Sequence, residues 1–217
     1  MAASSEHGRI IADEAKAALA PLGFRRLGRS RVWLADHGHW VDAVEFQPSS
    51  YSKGSYCNVA AHWLWSLTPG LSFNYGFHRV GTFARFSDPE SFVIEIANMA
   101  RQAAVSAQRH RALFPSLAAT ADVLASDESV WSPAGGWKAF YAGVACGLVG
   151  DAERAQALLR HVQTSDNRDI DWVKARSSTV DELLAALSNP ESFRSAVQVL
   201  VDAHRRALKL GPHSLPS

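Results

Sequence analysis

Apolar residues fall first at helical spacing: Ile11, Ala15, Ala18 and Leu22 predict a helix from about Ser5 to Ala20, which Pro21 helps to end before a left-handed cap at Gly23. From Phe24 to Phe86 the period shortens to short aromatic and β-branched runs separated by Gly, Pro, Asn and Ser, the pattern of an antiparallel meander. Arg31–Ala35 and Trp40–Gln47 flank Asp36-His37-Gly38-His39, short enough for a hairpin with Gly38 at positive φ. A third strand is predicted from about Tyr56 to Trp65. Alternation puts Cys57, Val59, Ala61, Trp63 and Trp65 on one face and Asn58, Ala60, His62 and Leu64 on the other. Pro48 to Ser55 reads as a polar loop, and further strands are predicted over Leu71–His78 and Thr82–Phe86.

After Phe86 the pattern turns helical. Asp88-Pro89-Glu90 combines an N-cap acceptor, a proline preset for the first turn and a carboxylate favourable to the dipole; Phe92, Ile96, Met99 and Ala103 then form a stripe suited to cover the sheet. Beyond Pro115 helices are predicted over Leu117–Ala125, Trp137–Val149, Ala152–Thr164, Thr179–Leu187 and Glu191–Leu208, with Thr179-Val180-Asp181-Glu182 as a capping box. The pair joined by Gly150-Asp151 resembles one hairpin of a tetratricopeptide array, with Gly143 and Gly147 permitting close contact. The fold class is α+β: an N-terminal helix and a small antiparallel sheet covered by a helix over residues 1–115, a helical array over 116–209, and a mobile tail over 210–217.

Composition narrows the function classes. With 217 residues and 47% hydrophobic content, the chain is long enough to bury a core without metal or disulfide staples. A net charge of +1, from 22 basic and 21 acidic residues, lacks the basic excess of a protein that neutralises phosphate backbones, so nucleic acid is disfavoured as a partner. Cys57 and Cys146 have no second cysteine at metal or redox spacing. Glu6, Arg9, Asp13 and Glu14 interrupt the one candidate leader, and the run Ala139–Val149 is too short to span a bilayer, which points to a cytoplasmic protein with no membrane partner.

Pro21-Leu22-Gly23-Phe24-Arg25-Arg26 after the first helix, Trp33, Val44-Glu45-Phe46-Gln47-Pro48-Ser49-Ser50-Tyr51 and Tyr56-Cys57-Asn58-Val59 together resemble the bacterial family named domain of unknown function 4304. The resemblance covers about half the chain. It implies no assigned activity, and it associates the chain with immunity-type or accessory roles in bacterial gene clusters. Gln47, Ser49 and Asn58 match the family's polar positions, whereas Pro48 and the tryptophan-rich strand depart from it.

The candidate contact residues are Gln47, Ser49, Tyr51, Asn58 and His62. Gln47 ends one strand and Asn58 begins the next, so they approach across the mouth of the Ser-rich loop, either as a recognition site or as ties for the loop's own backbone. His37, His39, His62 and His78 lack ligand spacing, so no metal or other cofactor is expected. Gly135-Gly136-Trp137-Lys138 lacks the strand-before-helix context of a phosphate loop, and no catalytic residue is assigned. Arg25, Arg26, Arg29 and Arg31 read either as an anion contact or as charge protecting an edge strand. Trp63 and Trp65 are expected to pack under Phe92 and Ile96. The favoured function is a non-catalytic module with a protein partner; the rival is a small-molecule sensor or enzyme with Gln47, Tyr51, Asn58 and His62 in a polar site between sheet and helices.

Overall fold

In the computed structural model, which describes residues 5–68, 70–132, 136–164 and 171–216, helix α1 covers Glu6–Leu19 and runs through a tight turn of Ala20–Leu22 into Gly23 at φ +80°. Of the residues singled out above, Gly135 and Ser217 lie outside that description. Five antiparallel strands follow in chain order: β1 Arg25–Arg26, β2 Val32–Asp36, β3 Trp40–Gln47, β4 Gly54–Trp63 and β5 Tyr75–Arg85. Helix α2, Pro89–Leu113, starts as its cap chemistry requires, with the Ser91 N–H donating to Asp88 Oδ1 at 2.9 Å.

The chain divides into two compact units, Met1–His62 with Leu71–Arg111 and Trp63–Gly70 with Ala112–Ser217. In the first, Ile11, Ala15 and Leu19 of α1 and Phe92, Ile96 and Ala103 of α2 bury against Trp33, Val44, Phe46, Cys57 and Val59 on one face of the sheet. This face takes odd positions from β2 and β4 and even positions from β3, as pairing of Trp33 with Val44 demands.

β5 is continuous where two strands are predicted. Gly76 and Gly81 take positive φ, and the ladder absorbs them as register shifts between Ser55 and Cys57 and between Val59 and Ala61, so the glycines mark bulges, not a strand break.

The second unit holds α3 Leu117–Ser126, a short turn Glu128–Trp131, α4 Gly136–Leu148, α5 Ala152–Thr164, α6 Asp171–Ala186 and α7 Pro190–Ala207. α4 and α5 form the expected hairpin: a Cβ on Gly143 would stand 3.0 Å from Leu159 Cγ, so glycine sets how closely the helices approach. Asn189 caps α7 by accepting from the Glu191 and Ser192 N–H groups. Thr179 caps nothing. It sits inside α6 and its hydroxyl donates to the Ala175 carbonyl at 3.2 Å, because the helix already begins at Asp171.

Two further expectations give way. β4 ends at Trp63, and Trp63 and Trp65 fall in the second unit, not with Phe92 and Ile96 in the first; there they stack on each other with centroids 5.5 Å apart, Phe114 meeting Trp63 edge-on at 5.0 Å. The segment after Lys209 is strapped to α7 instead of trailing free: Arg205 donates to the Gly211 carbonyl at 2.5 Å, Gln198 donates to the His213 carbonyl and accepts from the Leu215 N–H, both at 2.8 Å, and Leu215 is buried. No helix among the described residues is long and apolar enough to cross a membrane.

Candidate functional site

The five candidate residues separate into three places. Asn58 Nδ2 donates to Gln47 Oε1 and to Glu45 Oε2, each at 3.0 Å, so the two amides do meet across β3 and β4. Arg79, paired with Asn58 in the ladder, approaches Gln47 Oε1 at 3.4 Å and lays its guanidinium over the Tyr56 ring at 4.2 Å. The result is a polar cross-strand lattice on the sheet face opposite α1 and α2. His62 takes no part in it. Its buried ring lies with Nδ1 2.7 Å from the Ser72 carbonyl, where it fixes the chain that returns toward β5.

Ser49 and Tyr51 lie on the Ser-rich loop, and there the structure forms a cavity of about 330 Å³ lined by residues 48–54 together with His7 and Arg31. Local bonding shapes the loop: the Tyr51 N–H donates to the Ser49 hydroxyl at 3.1 Å, and the Ser55 hydroxyl donates to the Tyr56 carbonyl at 2.8 Å. Gly54 closes it at φ +148°. A Cβ there would stand 2.1 Å from the Ala84 carbonyl oxygen, so only glycine lets the loop rejoin the sheet. Tyr51 projects from the tip with its side chain almost wholly in solvent, 97% exposed.

Three cationic residue types converge on this cavity. His7 is one turn before Ile11 on the buried stripe of α1, and Arg31 shares the parity of Trp33 and Ala35, so both reach the helix-covered side of the sheet at its rim. Arg31 Nη2 donates to His7 Nε2 at 3.1 Å, which requires a neutral imidazole carrying its proton on Nδ1, and Arg31 Nη1 approaches the Gly54 carbonyl at 3.4 Å. Burial, then Arg31, then Lys53, holds the His7 imidazole below its ordinary pKa. Burial and the neighbouring Arg26 lower that of Arg31. Among the described residues no carboxylate pairs with His7, Arg31 or Lys53.

Arg26 of the same cluster has other work. Arg26 donates to the Ser30 carbonyl at 2.6 Å and to the Arg29 carbonyl at 3.1 Å, holding the turn between β1 and β2, and β1 is a short exposed edge of the sheet. Only Arg31 of the four lines the cavity.

Two other constellations have the residue types of catalysis without its geometry. Asp42, fully buried on β3, accepts from His110 Nδ1 at 2.8 Å and His37 Nε2 at 3.2 Å, with Arg111 Nε at 3.8 Å. The outer edge of the His110 ring is closed by β5, since a Cβ on Gly76 would sit 2.7 Å from Nε2. His78 binds the Gly76 carbonyl through Nδ1 at 2.7 Å, leaving Nε2 to accept from the Ser106 hydroxyl at 3.0 Å. Ser106 lies inside α2, whose amides are spent on the helix and offer no oxyanion donors. The thiols are equally quiescent: burial pushes Cys57 up to about 12 and Cys146 up to about 11, so neither is a thiolate at neutral pH. No group of three or more potential metal ligands forms among the described residues.

The signal for His7 and Arg31 was present as phase: each falls on the apolar period of its element at a position too close to the element's end to be covered. Lys53 carries no such signal, because a loop has no period. No protein-family model, curated protein or solved structure matches this chain.

Proposed function

We propose that the chain is a non-catalytic accessory module that binds an acidic segment of a protein partner through the loop of residues 48–54. The observation that supports this most is the convergence of His7, Arg31 and Lys53 on one cavity, with no carboxylate among the described residues paired to them. Uncompensated cations brought together by a fold repel one another, and an anionic partner removes that repulsion. Tyr51, exposed at the tip, supplies the rigid amphipathic ring that contact surfaces favour. Two other polar groups of this unit are committed to structure, Asp42 to its histidines and the Asn58 amide nitrogen to Gln47 and Glu45. An immunity-type role, implied by the family resemblance, belongs to the same reading.

The test compares the full chain with a Tyr51→Ala, Lys53→Gln double variant as bait, after circular dichroism has shown the same fold. A protein held by the parent chain, lost about tenfold by the variant and released progressively by salt, is the expected result. Equal retention by both baits places the contact elsewhere and overturns the assignment to this loop.

A further inference from the structure

We infer that the group seated between His7, Arg31 and Lys53 is a phosphomonoester dianion, carried on a phosphorylated side chain of the partner. This rests on the reading of the loop as the partner-binding site and names the chemistry that it recognises. Arg31 and Lys53 supply two fixed positive charges, and a phosphomonoester carries about −1.5 to −2 at neutral pH where a carboxylate carries only −1. Three phosphate oxygens also match the donors better than two carboxylate oxygens: the Arg31 guanidinium, the Lys53 ammonium and the hydroxyls of Ser50 and Ser52, which line the same cavity. A volume of about 330 Å³ accommodates the phosphoryl group and the short side chain that bears it. His7 completes the match. It is neutral while it accepts from Arg31 Nη2, and a dianion beside it offsets the two cations that disfavour its protonation. Protonated, it becomes a further donor to the phosphoryl oxygens.

Phosphate binding therefore raises the pKa of His7, which a ring-proton NMR titration of the full chain reads directly, the signal being identified by its loss in His7→Gln. The titrants are inorganic phosphate, acetate, and a short peptide prepared with serine, phosphoserine or glutamate at one position. The expected outcome is that phosphate raises the His7 pKa at concentrations at which acetate does not. The phosphoserine peptide then binds about tenfold tighter than the glutamate form, and Arg31→Gln or Lys53→Gln abolishes the response. If acetate and the glutamate peptide do as well as their phosphate counterparts, the phosphomonoester assignment falls and the acidic-segment reading stands. If inorganic phosphate binds and the phosphopeptide does not, the ligand is a small phosphorylated molecule and the protein-partner reading falls. If no titrant moves His7, both fall.

Discussion

Two clusters in the first unit use the same residue types to opposite ends. Around Asp42, one carboxylate with no solvent exposure is enclosed by His37, His110 and Arg111. Around the loop cavity, His7, Arg31 and Lys53 gather, and among the described residues no carboxylate pairs with them. The first arrangement is paired internally around a carboxylate with no solvent exposure, and its removal is a matter of stability. The second leaves positive charge uncompensated at a rim open to solvent, so its removal is a matter of binding. A histidine in this protein is thus interpreted by its partner: His110 meets a buried carboxylate, and His7 accepts from the Arg31 guanidinium.

The comparison breaks most visibly at Asp42. Asp42→Ala removes the acceptor from the buried His110 Nδ1 and strips the counter-charge from Arg111, so it should cost about 3–5 kcal/mol, read as a lower urea midpoint at unchanged slope. A loss below about 1 kcal/mol would show that the cluster is not the strut its geometry describes.

Gly54→Ala probes the cavity's frame instead of its charge. A methyl group 2.1 Å from the Ala84 carbonyl at φ +148° must move either the loop or β5, at a cost of about 1–3 kcal/mol. The same displacement shifts Arg31, whose Nη1 lies 3.4 Å from the Gly54 carbonyl, so anion binding should weaken together with stability. At Asp42 the two effects separate.

Periodicity made much of this fold legible. The stripe of α1, the β2–β3 hairpin, the cap at Asp88 and the α4–α5 hairpin all follow from local rules that the tertiary structure leaves intact. Where local rules compete with long-range contacts they misled. Gly81 resembles a strand break but is carried as a bulge in β5, and the capping-box residues at Thr179 are overrun by a helix begun at Asp171. The tail composition resembles a free end, yet the Gln198 amide and Arg205 on α7 bind it. For the site, strand register foretold the meeting of Gln47 and Asn58. It said nothing of Lys53, because only a folded loop brings that residue beside a helix and a strand.

The smallest expected change in stability, and the sharpest test of the contrast, is Arg31→Gln. At neutral pH it should alter the urea midpoint little, within about 0.5 kcal/mol, because no carboxylate among the described residues pairs with Arg31 and its repulsion with Arg26 is relieved. The pH dependence should change more clearly. The folded chain holds the His7 proton less tightly than the unfolded chain, whose imidazole titrates near the ordinary 6.5. In the interval below 6.5 and above the lowered folded value, the unfolded state therefore binds more protons, and stability falls as the pH drops through that interval. Replacing Arg31 removes the larger of the two electrostatic causes and returns His7 toward its ordinary value, so the variant should lose less stability than the parent between about pH 7.5 and pH 5.5. The remaining histidines contribute equally to both chains and cancel in the difference. A parallel decline in the two would mean that Arg31 does not govern His7, and the cavity would then lack the electrostatic unity that sets it apart from the Asp42 cluster.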